Sequence, residues 1–214
     1  MNQMTLGTLS AVQLRRPTQR ALAKLRTREK ILAAAKALFT ERGYEGATIR
    51  DIASNAGMST GAVFASFTDK SDLFAEIVRA EQVALFEALT LAAEGLSPKA
   101  AILAMVDAAV ERHLADLALL QATMSALWAP GLGAQLKGRV SLRSVSDLIV
   151  RTLTAGVANG EITVTADPAL IAQMLRDSYL AALSRAAKEG VTAETVKRRV
   201  KEEVEIILAG ARVS

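Results

Sequence analysis

Thr48-Ile-Arg-Asp-Ile-Ala-Ser-Asn-Ala-Gly-Met-Ser-Thr-Gly-Ala-Val-Phe-Ala-Ser-Phe-Thr-Asp-Lys70 is the stretch that decides the fold of this 214-residue chain. Ile49, Ile52 and Ala53 recur on one face of a short helix, with Thr48 in position to cap it. Gly57 falls where the chain must turn sharply, which predicts a left-handed backbone. Ser59 then caps a second short helix through Val63 and Phe64, and Lys70 opens a third. Two short helices joined by a glycine turn make a helix-turn-helix, whose second helix enters the DNA major groove.

Outward from that stretch, Thr27-Arg-Glu-Lys-Ile-Leu-Ala-Ala-Ala-Lys-Ala-Leu-Phe39 carries helical apolar spacing, and Gly43 ends it. With Gly43-Tyr44, Ala47-Thr48, Gly61-Ala-Val-Phe-Ala-Ser-Phe67 and Lys70, the segment from Thr27 to Phe74 resembles the TetR family of bacterial transcriptional regulators. The resemblance implies a recognition helix at Thr60 and Gly61 and a long fourth helix that leaves the DNA-binding domain. It also implies a helical second domain that binds a small-molecule effector and forms a homodimer. The family usually carries Tyr at the position of Phe64 and often His at that of Ser66. Both usual residues can hydrogen-bond to phosphate, and Phe64 cannot.

Composition agrees with an all-α fold. Hydrophobic residues make up 51% of the chain, aromatic residues only 4%, and Ala and Leu dominate, a balance that favours helices around a real core. There is no Cys and a single His, which excludes disulfides and thiolate metal sites and leaves no basis for a metal or other cofactor. No apolar run reaches the roughly 20 residues needed to span a membrane, and a cytoplasmic location is expected.

Net charge is +4, but residues 1–50 hold ten Lys or Arg against three Glu. The excess of positive charge sits at the end that carries the helix-turn-helix, as expected of a DNA-binding module. The predicted organisation is a flexible basic arm over 1–23, a helix-turn-helix domain over 24–70, and an effector and dimerisation domain over 71–214. Arg15, Arg16 and Arg20 make the arm basic.

A first helix is expected over about 26–42 and a fourth from about 70 to 93. Ser97-Pro98 begins another, which runs to about His113 or Ala115, and one from about Asp116 to Trp128 follows. Further helices are expected over about 134–158, 168–188 and 193–210. Gly131 to Gly138 reads as an interhelical loop, because its glycine spacing does not match a dinucleotide fingerprint. Ile162 and Val164 alternate like a strand but have no partner run, so they are read as loop.

The candidate DNA-binding residues are Thr48, Arg50, Ser59, Thr60, Gly61, Phe64, Ser66 and Lys70, with Ser59 read more as a cap than as a contact. Met105, Leu120, Met124, Trp128, Met174 and Tyr179 are candidates for an apolar effector pocket. The last two helices are apolar over so much of their surface that a second subunit is expected to cover them. Leu175, Tyr179, Val196, Val200 and Val204 are the candidate interface. No catalytic residues are proposed, since His113 has neither a nucleophile nor an orienting acid at recognisable spacing.

The expected function is a sequence-specific DNA-binding regulator, a repressor that a small molecule releases from a double-stranded DNA operator. The alternatives are an architectural DNA-binding protein without an effector and a helical protein-interaction module. A second domain without a cavity would favour the first of these. Failure to bind DNA would favour the second.

Overall fold

The structure, a computed structural model, describes residues 18–129, 131–139, 143–162 and 166–210. The described residues form ten helices and no strand: α1 Gln19–Gly46, α2 Ile49–Asn55, α3 Thr60–Phe64, α4 Lys70–Ala93, α5 Pro98–Ala115, α6 Leu117–Trp128, α7 Leu132–Arg139, α8 Arg143–Ala158, α9 Pro168–Glu189 and α10 Ala193–Gly210. None of the described helices is long and apolar enough to cross a membrane.

Local chemistry sets most of the boundaries. Asp167 accepts from the Ala169 amide at 2.9 Å, and Pro168 occupies the first turn of α9. Gly190 ends α9 in the left-handed region at φ 65°, a conformation that costs a residue with a Cβ about 1–2 kcal/mol. Ser97 starts α5 ahead of Pro98, and its hydroxyl donates to Glu161 rather than capping the helix.

Three expectations change. α1 begins at Gln19, where the Thr18 side chain accepts from the Ala21 amide at 3.2 Å. Residues 19–23, assigned to the arm, are therefore helical, while Arg15, Arg16 and the rest of 1–17 lie outside the described residues. The segment read as a loop over 131–138 is mostly α7. The long helix expected over 134–158 is two helices, α7 and α8, with residues 140–142 between them outside the description. Val164 also lies outside it, and Ile162 is buried at a bend.

Two cores organise the helices. The first gathers Ile31, Leu38 and Phe39 of α1, Ile52 of α2, Val63 of α3, Leu73 and Phe74 of α4, and Leu119, Leu127 and Leu136 from α6 and α7. Phe39 and Phe74 meet edge to face at 4.9 Å, and Tyr44 joins them at 5.8 Å and 5.0 Å. Such aromatic pairs add about 0.5–1.5 kcal/mol each beyond their burial. Packing thus crosses the boundary drawn at residue 70. The helix-turn-helix shares its core with the first half of α4 and with α6 and α7. The second core joins the end of α4 to α5, α8, α9 and α10.

Candidate nucleic-acid interface and internal cavity

Thr48 and Ser59 cap the two helices of the motif, as the sequence suggested. The Thr48 hydroxyl accepts from the Asp51 amide at 3.2 Å and donates to the Asp51 carboxylate at 2.6 Å, which holds that carboxyl below its usual range. Ser59 accepts from the Ala62 amide at 3.2 Å. Gly57 turns the chain at φ 69°, and the Met58 amide returns to Ala53 O at 2.9 Å. Val63 and Phe67 anchor α3 inward at 0% and 2% exposure. That leaves Thr60, Gly61, Phe64 and Ala65 facing outward.

Arg28 braces this unit from behind. Its guanidinium pairs with Glu76 of α4, donates to Ser66 O, and lies 4.1 Å over the Phe67 ring. Ser66 is half-buried, and its carbonyl belongs to that bracing contact. The sequence reading missed Arg28, because nothing in a single-chain pattern marks which of several arginines on one helix turns inward.

Lys70 departs from its expected role. Its ammonium turns inward, donating to Tyr44 O at 2.9 Å and Ala47 O at 3.1 Å, and lies 4.2 Å from the Tyr44 ring centroid. It ties the end of α1 and its cap residue Ala47 to the start of α4. The reason is local: carbonyls at a helix C-terminus run out of following amides, and a cation within reach bonds to both. Cations on the outer surface lie elsewhere. Arg50 of α2 is exposed, and Arg20 and Lys24 of α1 line an open cleft whose other wall is Ala62, Ala65 and Ser66 of α3.

The candidate effector residues separate into three places. Met105 and Tyr179 line a cavity of about 100 Å³ among α4, α5, α8, α9 and α10. Its walls are mostly aliphatic, including Leu85 and Leu89 of α4, and its polar members are His113, Tyr179 and Arg176. Leu120, Met124 and Trp128 instead border a separate groove between α6 and α9, with Trp128 76% exposed. Met174 lies 48% exposed on α9, away from both.

His113 Nδ1 and the Tyr179 hydroxyl are 2.7 Å apart. Burial, with a lesser push from the Arg112 charge, lowers the His113 pKa to about 4 against the pull of Glu81, and burial raises that of Tyr179. Both are neutral at pH 7. Beside them a charged cluster joins the two cores: Glu81 of α4 meets Lys36 of α1 at 2.7 Å and Arg112 of α5 at 2.7 Å, and Lys36 also reaches Asp116 at 3.4 Å. The bond with Glu81 outweighs desolvation and raises the Lys36 pKa.

The candidate dimer residues are already covered within one subunit. Leu175, Val196, Val200 and Val204 are 7%, 3%, 2% and 4% exposed, and Tyr179 is bonded to His113. Their apolar stripe packs α9 and α10 against the rest of the second core. A second subunit could bury almost nothing more of the four aliphatic residues, while Tyr179 is half-buried. The large apolar side chains that do face outward on these helices are Leu170, Met174 and Ile206.

Among the described residues, no group of three or more His, Cys, Asp or Glu could hold a metal ion.

A family model described as "Bacterial regulatory proteins, tetR family" matches residues 31–77. The chain is 42% identical over 60 residues to the transcriptional repressor AcnR of Corynebacterium diphtheriae, a match covering 28% of this chain. The matched stretch spans about a third of that relative's length, 32%. Against the transcriptional repressor KstR2 of Rhodococcus jostii it is 29% identical over 199 residues, covering 91% of this chain and 95% of the relative. The crystal structure of the regulator FadR from Bacillus subtilis in complex with stearoyl-CoA superposes with a TM-score of 0.75 at 19% identity. That likeness, over 85% of this chain and 98% of the other, is one of fold.

Proposed function

We infer that this chain, a member of the TetR family of bacterial transcriptional regulators, works in the cytoplasm as a homodimeric repressor released from its operator by a small molecule. The observation that carries the reading is α4. This single 24-residue helix starts next to the recognition helix and places Leu85 and Leu89 in the cavity wall. A rigid element that touches both sites gives a ligand a physical means to bias the DNA-reading surface. The presence of a cavity also weighs against an architectural protein without an effector.

In this reading, α2 and α3 present Thr48, Arg50, Thr60, Gly61 and Phe64 to DNA, with Ser59 as a cap. The reading head extends from α1 into the first half of α4, and the remaining helices hold effector and partner. The second subunit covers the outer faces of α9 and α10 around Leu170, Met174 and Ile206. Two recognition helices then sit about 34–36 Å apart, one helical turn of DNA. Ligand favours a conformer in which α4 has moved them off that spacing. The effector enters the cavity beside Met105 and Tyr179. Aliphatic walls with one neutral His–Tyr pair suit a mainly apolar molecule.

The test is selection of genomic fragments by the full-length protein, followed by anisotropy titration of a selected fragment. Nanomolar binding that aliphatic alcohols or acyl thioesters reverse is expected. Failure to enrich any fragment would overturn the regulator reading. Enrichment without release by any cavity-sized compound would overturn the effector half alone.

A further inference from the structure

The outward face of the recognition helix carries no side chain able to read a base edge with two hydrogen bonds. The exposed residues from Ser59 to Thr68 are Ser59, Thr60, Gly61, Phe64, Ala65 and Thr68. The bidentate readers of guanine and adenine are Arg, Lys, Asn and Gln, and cytosine is read by Asp or Glu. None of these residue types is on this face.

What the face does carry is apolar. Phe64 is 56% exposed, whereas Phe67 is buried. Thr60 stands four residues earlier and so adjoins it on the helix surface. Gly61 lies between them, and the fold does not require a glycine there. Its φ is not positive, and an added Cβ would meet only Ser59 Oγ at 3.8 Å. Glycine is a poorer helix former than Ala. With no internal reason for it, the requirement is external: close approach by another molecule. The basic residues Arg20 and Lys24 line the cleft beside the face, which fits a polyanion.

The only apolar group on the major-groove edge of a base pair is the C5-methyl of thymine. We propose that this chain reads its operator chiefly through thymine methyl groups, which Phe64 and the Thr60 methyl cover while Gly61 lets the helix sink into the groove. The proposal rests on the DNA-binding reading and names what that site recognises. Each methyl removed from water by such a contact should be worth about fourfold in affinity.

The experiment starts from a random-sequence duplex pool selected with the full-length protein. In the selected consensus, each thymine is replaced singly by uracil, which removes the methyl and leaves the hydrogen-bonding edge intact. At least one position per half-site should lose threefold or more in affinity, and Phe64→Ala should abolish that loss. Cytosine at the same position should bind more weakly than 5-methylcytosine. Gly61→Ala should leave the thermal midpoint unchanged or higher while weakening binding at least tenfold. A selected consensus indifferent to every uracil substitution would overturn methyl readout and leave operator binding standing. Unchanged affinity in Gly61→Ala would overturn the close approach. No enrichment from the pool would overturn both this proposal and the function it rests on.

Discussion

Replacing Lys70 with Met keeps most of the aliphatic stem and removes the charge, which makes it a clean test of what the ammonium does. Three interactions end: bonds to Tyr44 O at 2.9 Å and Ala47 O at 3.1 Å, and the contact with the Tyr44 ring at 4.2 Å. Hydrogen bonds from a charged donor contribute about 1.5–3 kcal/mol each and an exposed cation–π contact about 0.5–1. The site is only part-buried, so water can replace the ammonium at the carbonyls, and the terms do not add fully. A net loss of about 2 kcal/mol is expected. For a chain of this size that lowers the thermal midpoint by roughly 4–8 °C. Circular dichroism melts and a DNA salt titration on the same variant separate the possibilities. The inward bond predicts a lower midpoint with an unchanged salt slope. A lysine on phosphate predicts an unchanged midpoint and a slope reduced by about one per subunit. The second outcome would refute the inward assignment.

The remaining expectations concern the second domain and the junction. With a His113 pKa of about 4 in the fold against 6.5 unfolded, the unfolded chain binds the extra proton between those values. Stability is therefore full above pH 6.5 and declines as pH falls toward 4, by about 3 kcal/mol at most; urea unfolding from pH 7 to 4.5 should show a flatter decline in His113→Gln. Val200→Glu places a carboxylate at a position 2% exposed and should unfold the chain, at a cost on the order of 4 kcal/mol or more, rather than yield a folded monomer. Met174→Glu and Ile206→Glu together should instead give a folded monomer by light scattering and circular dichroism, and a folded dimer would refute the outer-face interface. In Gly133→Ala the new Cβ would lie 2.2 Å from the Leu127 carbonyl oxygen, so α7 must shift, at a cost of about 1–3 kcal/mol, read as a lower melting midpoint.

The junction explains why such changes need not stay local. Glu81 receives one cation from the reading head, Lys36, and one from the cavity wall helix, Arg112. Arg112 adjoins His113, whose ring holds Tyr179 at the polar end of the cavity. A ligand that reorients Tyr179 acts on the helix that also supplies Arg112 to Glu81. That helix, α5, packs against α4 more extensively than any other pair of helices in the fold. α4 is therefore held at one end by Lys70 and Arg28, whose partner is Glu76, and at its middle by Glu81. The two sites are joined by packed helices and by charges shared across one of them.

How far the sequence revealed this depends on what each residue's neighbours are. Caps and turns are local, so Thr48, Gly57, Ser59, Pro168 and Gly190 were legible from a few residues each. The start of α1 was not, because Gln19 to Arg26 has no apolar stripe; Leu25 itself is 53% exposed. Met105 and Tyr179 line one cavity, whereas Leu120, Met124, Trp128 and Met174, which share only residue type with them, lie elsewhere. The interface shows the limit most clearly. Val196, Val200 and Val204 recur at helical spacing, and that spacing says only that some apolar surface covers them. Their own subunit does: α5, α9 and the cavity wall occupy the stripe. The periodicity of a buried face is the same whether the cover is the same chain or another copy, whereas isolated Met174 and Ile206 on the opposite side produce no periodic signal at all. The interface proposed around Met174 and Ile206 therefore comes into view only once the fold has used up the periodic side chains.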